Sequence, residues 1–387
     1  MKFLLQHLMT WPYVPENSSY PQAWVTYPHS NYDPKLGEEL YETYLNQLVH
    51  AEEVGFDGVC VNEHHQTAYG TMPSPNIMAA MLAARTKRVK IAILGNAIPL
   101  RNNPQRIAEE LAMLDVLSHG RIISGFVRGI GPEYHSFSLD PTQSRSRFHE
   151  AHDLIIRAWT EPEPFEFYGK HYKLRYVNPW PRPVQEPHPP IWIPSQGSVE
   201  TIDWVAEHHY TYLQTYSSIG SVRRVFNEFK EAAERHGYQA SPNQLGWALP
   251  IYLADTDEKA RQEAKRPLEY LFNDVFKMPP SVFFPPGYLT PQSMARVLAN
   301  KKGMGTSRLT AEDLIEKGYV LVGTPETVRG KLEEYQQDFG FGNLLPMLSF
   351  GTMNNAAAME NIDRFAAEVM PYLRPLGESK EQEQGVL

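Results

Sequence analysis

The sequence predicts an α/β fold, a (β/α)8 TIM barrel with insertions over its C-terminal mouth. Short apolar runs alternate with amphipathic helical segments along the chain. This alternation indicates a parallel sheet, because each crossover helix returns the chain to the same end of the sheet. Eight such runs can be counted in the 387 residues, and a closed barrel of this class has eight strands. We therefore expect a single domain over residues 1–387, with insertions at approximately 11–37, 161–189 and 275–310.

The first half of the chain carries four of the predicted strands. They are residues 2–9, 59–61, 89–94 and 121–127. The intervening helices end at glycines, Gly55 and Gly120, which favour a helix stop, and Pro104 begins a helix at its first-turn position. Residues 11–33 are rich in Pro, Tyr, Trp and Ser, and we expect them to form a long loop over the barrel mouth.

The second half repeats the pattern with insertions. Its predicted strands are residues 191–193, 210–215, 246–253 and 343–350, and its predicted helices are residues 145–160, 201–207, 221–236, 325–339 and 356–372, with a further helix from Asp257. Residues 165–176 alternate aromatic and polar side chains around Gly169, which predicts a small antiparallel hairpin outside the main sheet. Residues 279–307 are predicted to be irregular.

Composition excludes several classes of function. The net charge is -9 and the basic residues form only short clusters, so the chain lacks the basic face that nucleic-acid binding requires. The single cysteine, Cys60, lies inside an apolar run, which argues against a disulfide framework or a thiolate metal site. No apolar run is long enough to span a membrane, and the first residues lack the features of a signal peptide. We expect a soluble, cytoplasmic protein that does not bind nucleic acid or membranes.

Polar residues follow four of the predicted strands, at the end where barrel active sites are built. They are Asn62, Glu63, His64 and His65 after the second strand, Gly95 and Asn96 after the third, Arg128 and Gly129 after the fourth, and Ser195, Gln196, Gly197 and Ser198 after the fifth. Glu63 with the two histidines lacks the spacing of a helical metal site, so no metal is expected. The alternative interpretation of Asn62 to His65 is a helix cap with two surface histidines.

The loop Ser195 to Ser198 has the composition of an anion-binding site. Small residues before a helix present backbone N–H groups, and serine hydroxyls add donors. Arg128 could supply the cation, because a guanidinium pairs with phosphate oxygens through two hydrogen bonds. These residues predict a cofactor that carries a phosphate. The open alternatives are an ordinary helix cap for the loop and a surface ion pair for Arg128.

Five segments resemble the bacterial luciferase-like, flavin-dependent monooxygenase family. In chain order they are GFDGVCVNEHH, AEELAMLDVLSHGRIISGFVRGIG, PPIWIPSQGS, VGTPETV and FAAEVMPYL. The resemblance implies a barrel that binds reduced FMN as a cosubstrate at its C-terminal mouth. It also implies that the reduced flavin reacts with O2, through a C4a-peroxyflavin, to oxygenate a small organic substrate.

The resemblance also implies roles for individual residues. The family's active-site histidine falls on His64, its phosphate-contacting arginine on Arg128, and its phosphate loop on Ser195 to Ser198. A non-prolyl cis peptide is expected at the end of the third strand, within residues 94–96. The further cofactor-binding candidates are Glu63, Gly95, Asn96 and Gly129, and the substrate-pocket candidates are Trp11, His65, Tyr134 and His135. The phosphate loop departs from luciferase, because Ser195-Gln196 stands where luciferase has a Glu-Ser pair.

The aromatic loops indicate a dry, covered site, because an activated flavin must be kept from water. Trp11, Tyr13, Trp24 and Tyr27 are expected on one side of it, and Phe283 and Phe284 on the other. We expect a neutral, apolar substrate, since a desolvated anion would need its own cation. Arg145 and Arg147 would weaken this expectation if they reached the mouth.

Other enzyme and partner assignments stay open at this point. A deazaflavin-dependent oxidoreductase would transfer hydride without O2, and a non-catalytic flavin-binding relative would turn nothing over. The absence of a dinucleotide motif favours a separate NAD(P)H:flavin reductase as partner. A homodimer or homotetramer is expected.

Overall fold

Eight parallel strands close into a barrel in the computed structural model, which describes residues 1–17, 20–295 and 308–376. The described strands, in chain order, are β1 (Lys2–Gln6), β2 (Gly58–Val61), β3 (Lys90–Ala97), β4 (Ile122–Val127), β5 (Phe165–Tyr168), β6 (Lys173–Val177), β7 (Ile191–Ser195), β8 (Thr211–Thr215), β9 (Leu245–Leu253), β10 (Leu321–Gly323) and β11 (Asn343–Met347). The barrel order is β1, β2, β3, β4, β7, β8, β9, β11 and back to β1, with every pairing parallel. The predicted (β/α)8 barrel is confirmed.

Helices connect and surround the strands. In chain order they are Pro34–Glu53, Pro75–Arg85, Gln105–Leu117, Gly131–Phe137, Ser144–Thr160, Val199–Glu207, Ile219–Arg235, Asp257–Tyr270, Pro280–Phe283, Ala311–Glu316, Pro325–Phe339, Asn355–Glu368 and Met370–Leu373. None of the described helices combines the length and the apolar character needed to cross a bilayer.

The barrel strands are apolar on both faces, and this explains their continuous apolar runs. One buried cluster fills the barrel interior with side chains from all eight barrel strands. Its members are Leu4, Cys60, Ala92, Leu94, Ile123, Trp192, Leu213, Ala248 and Leu345. The alternate residues of the same strands, such as Leu5 and Val61, pack against the helices in the larger outer cluster. Burial raises the pKa of the Cys60 thiol, as expected for a side chain in this interior.

Several local elements differ from the sequence prediction. A short extra strand, β10, pairs in parallel with β9 outside the closed barrel. It has only three residues, too few to show a period along the sequence. The helix Gly131–Phe137 was also not predicted, and the first and last barrel strands end earlier than expected, at Gln6 and Met347.

The insertions contain both predicted and unpredicted structure. β5 and β6 form the expected antiparallel hairpin. The helix Pro280–Phe283 begins within the segment predicted to be irregular, and residues 296–307 of that segment lie outside the described residues.

Candidate active site

A cavity of about 630 Å³ lies at the carboxyl ends of the barrel strands. Its wall includes residues at the ends of β1, β2, β3, β4, β7 and β8. Nine of the predicted site residues line it, namely Glu63, His64, Gly95, Arg128, Gly129, Ser195, Gln196, Gly197 and Ser198. The fold therefore brings together side chains that are spread over more than a hundred residues of sequence.

Gly95 lies where β3 comes very close to β4. A Cβ atom on Gly95 would be 2.6 Å from the backbone carbonyl carbon of Gly125, a distance that only glycine avoids. The peptide bond between Leu94 and Gly95 is cis, at the position that the resemblance implied. Gly95 therefore permits the close approach of the two strands, and it also lines the cavity.

His64 is held from behind by a buried carboxylate. Its Nδ1 atom lies 2.8 Å from Oε1 of Glu133, whose side chain is only 2% exposed. The other carboxylate oxygen of Glu133 accepts a hydrogen bond from the backbone N–H of Ile130 at 2.5 Å. A carboxylate in this position favours a proton on Nδ1, which leaves Nε2 as the available nitrogen. Nε2 has no hydrogen-bond partner among the described residues.

Aromatic rings surround His64 and form what we call the aromatic end of the cavity. The Tyr69 and Trp24 rings meet the imidazole edge-on, at centroid distances of 4.7 and 5.4 Å, and stack on each other at 4.7 Å. Phe276 contacts both Tyr69 and Tyr216 at 5.1 Å. This end offers a ligand a largely apolar surface.

Two tyrosines, Tyr69 and Tyr216, contact Phe276 at the aromatic end. Gln6 Nε2 donates a hydrogen bond to the Tyr216 hydroxyl at 3.4 Å. Burial raises the pKa of both tyrosines, so both hydroxyls stay protonated. Tyr216 has a positive φ of 45°, a conformation that is uncommon for residues other than glycine.

A second part of the cavity wall, which we call the arginine end, carries Arg128 and Arg145. Nη1 of Arg128 donates to Ser144 Oγ at 3.2 Å and to the Tyr288 carbonyl at 3.3 Å, and its guanidinium lies 4.4 Å from the centre of the Tyr288 ring. Burial and the nearby Arg128 lower the pKa of Arg145. The loop Ser195 to Ser198 lines the same cavity, with Gly197 at a φ of 92°, and leads into the helix Val199–Glu207.

Residues 22–340 match the family model described as luciferase-like monooxygenase. The chain belongs to the luciferase-like monooxygenase family.

Two curated members of the family show the range of the similarity. The chain is 23% identical over 367 residues to 2,5-diketocamphane 1,2-monooxygenase 1 of Pseudomonas putida, covering 89% of this chain and 97% of that protein. It is 25% identical over 237 residues to the oxygenase component of a flavin-dependent trigonelline monooxygenase of Acinetobacter baylyi, covering 60% of this chain and 64% of that protein.

Solved structures of similar proteins share the barrel. The oxygenating constituent of 3,6-diketocamphane monooxygenase from Pseudomonas putida, a type II Baeyer-Villiger monooxygenase in complex with FMN, superimposes with a TM-score of 0.72 at 19% identity, over 96% of this chain and 98% of that chain. An F420-dependent secondary alcohol dehydrogenase superimposes with a TM-score of 0.65 at 18% identity, over 89% and 96% of the two chains. At these identities the structures establish the common fold.

The predicted substrate-pocket residues do not line the cavity of this luciferase-like monooxygenase. Trp11 is buried between Tyr13 and Tyr32 in the first loop, and His135 is exposed on the outer surface. Tyr134 is buried behind the wall, where its hydroxyl donates to the Arg128 carbonyl at 2.6 Å. Sequence position alone could not assign these side chains, because Tyr134 and His135 belong to a helix that the sequence did not predict and Trp11 to an irregular loop.

His65 and Asn96 also lie outside the cavity lining. His65 turns to the Glu63 carboxylate, with 2.7 Å between Nε2 and Oε1, and packs against Phe137. Asn96 is fully buried in β3, and neither of its side-chain polar atoms has a partner in the described part of the chain. Of the residues expected in the aromatic cover, Trp24, Phe283 and Phe284 line the cavity, whereas Tyr13 and Tyr27 do not.

Glu63 lines the cavity, but its carboxylate is engaged by protein groups. Oε1 faces His65, and Oε2 accepts hydrogen bonds from Arg101 Nη2 at 2.8 Å and from the Ala97 N–H at 3.1 Å. These contacts join the end of β2 to the end of β3. Burial alone would raise the pKa of Glu63, but His65, Arg101 and the Ala97 N–H lower it overall. We therefore assign Glu63 a structural role beside the cavity.

We expect Glu63→Gln to lower the free energy of unfolding by about 3 kcal/mol at neutral pH, the cost of breaking a buried ion pair. Because the folded-state pKa is below the unfolded one, the stabilisation is complete above the ordinary carboxyl pKa and is lost as the pH falls. Denaturant unfolding of both proteins should therefore show the difference shrinking below about pH 4. The matched control is Glu42→Gln, which removes an exposed pair with Arg85 and should change little. Equal effects of the two substitutions would contradict the assignment.

Glu133, Tyr69 and Tyr216 were missed as site residues from the sequence. A signal existed only for Glu133: Gly131-Pro132-Glu133 has a proline and an acid in the order of a helix first turn, directly after a strand end. Nothing in the sequence separates Tyr69 and Tyr216 from the other tyrosines of this chain.

Proposed function

We propose that this luciferase-like monooxygenase binds reduced FMN in the cavity and uses O2 to add one oxygen atom to a small neutral organic substrate. In the overall reaction, reduced FMN supplies two electrons, one oxygen atom enters the substrate and the other leaves as water. The observation that carries the proposal is the polarity of the cavity. Two arginines and a serine-rich loop lie at one end, and His64 lies among aromatic rings at the other. The flavin phosphate would bind at the arginine end, and the reacting flavin ring would lie at the aromatic end.

The residues present fit FMN. At the arginine end, Arg128 and Arg145 would pair with the phosphate, and the loop Ser195 to Ser198 would add hydroxyl and backbone donors. The cavity wall at Gly95 carries no side chain, and the flavin ring would lie against it. Two cavity-lining amides, Gln6 and Asn62, each have a buried oxygen without a hydrogen-bond partner in the described part of the chain. Such orphaned acceptors are expected where a ligand supplies the missing donors.

His64 would hold or move a proton at the reacting end. Glu133 keeps Nδ1 occupied, so Nε2 can accept a proton from a bound molecule or return one to it. The stacked rings of Trp24 and Tyr69 cover part of the imidazole and would limit the access of water to it. When bound, reduced FMN would supply the chemistry that activates O2. The protein would position the flavin and the substrate, exclude water from the cavity and supply His64 for proton transfer.

A deazaflavin-dependent oxidoreductase is the second candidate function, because a structural neighbour of the same fold is F420-dependent. Such an enzyme would transfer hydride and consume no O2. A non-catalytic flavin-binding relative is less favoured. Burying the Glu133 carboxylate beside His64 costs desolvation free energy, which a protein without catalytic activity would have no reason to retain. Oxygen consumption with reduced FMN, compared with reduced deazaflavin, distinguishes the three cases.

The proposal includes a separate NAD(P)H:flavin reductase, as the name of the trigonelline oxygenase component suggests for that relative. It also includes a homodimer or homotetramer. Two neighbouring helices, Pro75–Arg85 and Gln105–Leu117, expose large apolar side chains that an assembly would cover. Light scattering after size-exclusion chromatography measures the mass, and a monomer at all concentrations would contradict this part.

We expect turnover with neutral, apolar compounds such as cyclic ketones, and little turnover with alkanesulfonates. The described arginines of the cavity wall, Arg128 and Arg145, are both at the arginine end, where the cofactor phosphate needs them. Arg147 turns away, donating to the Pro99 and Arg101 carbonyls. A desolvated sulfonate at the aromatic end would have no cation of its own.

The measurement is a substrate screen with reduced FMN and O2, in which product masses are read for one added oxygen atom. The screen should include aldehydes, ketones, aromatic compounds, terpenoids and alkanesulfonates. Turnover confined to sulfonates would contradict the assignment of the substrate class.

A further inference from the structure

A carboxylate lies inside the arginine end, where the proposed function expects an anion. Glu200 belongs to the first turn of the helix Val199–Glu207 and lines the cavity. Its oxygens accept hydrogen bonds from Ser198 Oγ at 2.7 Å, Thr290 Oγ1 at 2.6 Å and Ser293 Oγ at 3.0 Å. Nη2 of Arg145 lies 3.5 Å from Oε2. The carboxylate thus has four donor groups, two of which are proposed ligands of the phosphate.

Glu200 carries its negative charge throughout the working pH range. Burial alone would raise its pKa, but hydrogen bonds from Thr290 and Ser198, together with Arg145, lower the pKa to about 2. Its charge is therefore a permanent part of the arginine end. It partly cancels the two positive charges of Arg128 and Arg145 before any cofactor binds.

The contacts of Glu200 divide into two groups. Ser198 and Arg145 line the cavity and are available to a phosphate, so a bound phosphate would compete with Glu200 for them. Thr290 and Ser293 belong to the insertion, and their hydroxyls hold the carboxylate in place: Thr290 donates to Oε1 and Ser293 to Oε2. The carboxylate is therefore fastened beside the phosphate position and would repel a phosphate dianion at short range.

We propose that Glu200 is an internal counter-anion of the cofactor site. In the cofactor-free protein the Glu200 carboxylate positions Ser198 and Arg145. Its negative charge also reduces the repulsion between the guanidinium groups of Arg128 and Arg145. Once FMN is bound, the negative charge of Glu200 repels the phosphate and lowers the affinity of the site for FMN. This keeps FMN exchangeable, as a cosubstrate that must leave for re-reduction requires. The inference rests on the proposed function, which assigns the phosphate to this end.

The test is a titration of FMN into wild type and Glu200→Gln, followed by flavin fluorescence or absorbance and independent of turnover. Glutamine keeps the size of the side chain and an acceptor oxygen but removes the charge. We expect Glu200→Gln to bind FMN about tenfold more tightly. Riboflavin, which lacks the phosphate, should bind both proteins equally. Glu200→Ala removes the same charge and provides a second measurement if the glutamine variant unfolds at a lower temperature.

The control is the double substitution Thr290→Val with Ser293→Ala. It removes two hydroxyls that hold Glu200 but keeps its charge, so FMN should bind no more tightly than to wild type. Unchanged or weaker FMN binding in both Glu200 variants would overturn the inference, and so would an equal gain for riboflavin. If wild type binds FMN no better than riboflavin, the phosphate assignment itself fails. That outcome is distinct from an unchanged affinity in Glu200→Gln.

Discussion

Replacing His64 with alanine is expected to lower product formation by roughly a hundredfold or more, the scale of a lost acid–base group. The affinity for reduced FMN should stay within a few-fold of wild type, since the arginine end is untouched. The physical reason is the position of the imidazole. Its Nδ1 atom is held by Glu133, and its other nitrogen is available at the aromatic end.

Rapid mixing of the reduced-FMN complex with O2 measures this effect, with product and hydrogen peroxide quantified together. In His64→Ala we expect peroxide release to replace substrate oxygenation, because the electrons of reduced FMN still reach O2 but are no longer coupled to the substrate. Glu133→Gln should have an intermediate effect, since glutamine can still orient the imidazole but removes the buried negative charge beside it. His135→Ala is the matched control, because His135 is exposed and outside the cavity, and should behave as wild type. Wild-type coupling in His64→Ala would remove His64 from the mechanism.

Arg128→Ala should weaken FMN binding by about a hundredfold, since deleting one charged partner of a phosphate commonly costs a few kcal/mol. We expect wild type to bind reduced FMN in the micromolar range, roughly where a cosubstrate can exchange. The Arg128 guanidinium is positioned by a hydrogen bond to Ser144 and by stacking on the ring of Tyr288.

Anaerobic titration of reduced FMN and reduced riboflavin into both proteins separates the phosphate from the ring. The riboflavin affinity should change by no more than a few-fold, because it has no group for Arg128 to bind. Arg147→Gln controls for the loss of an arginine nearby, since Arg147 lies outside the cavity and bonds to backbone carbonyls. Equal FMN affinities of wild type and Arg128→Ala would contradict the phosphate assignment.

The contrast between His64 and His65 shows the limit of sequence interpretation at this site. The two residues are adjacent and follow the same strand, and both were candidates. In the fold, His64 faces the cavity and Glu133, whereas His65 turns to Glu63 and the exposed ring of Phe137. Neighbouring residues at a strand end point in different directions, so only the backbone path after β2 decides which one reaches the cavity.

The sequence also did not predict the residues that complete the site from distant parts of the chain. Glu133 comes from a helix 69 residues after His64, and Glu200 meets Thr290 across 90 residues. Glu63, which was predicted to bind the cofactor, lines the cavity and has both carboxylate oxygens bonded to protein groups. In each case the partner is not local, and no spacing in the sequence encodes it.

Local patterns in the sequence were enough to predict the barrel, the strand ends that meet at its mouth, and the candidates Arg128 and Ser195 to Ser198. They were enough because apolar runs, helix stops and strand-end polar residues are local signals, and parallel strands must present their carboxyl ends together. The family resemblance, rather than a local pattern, singled out His64. Which side chains turn into the cavity, and which charges pair behind it, depends on the packed fold. Burial makes those pairings strong, and burial is a property of the packed chain rather than of any segment.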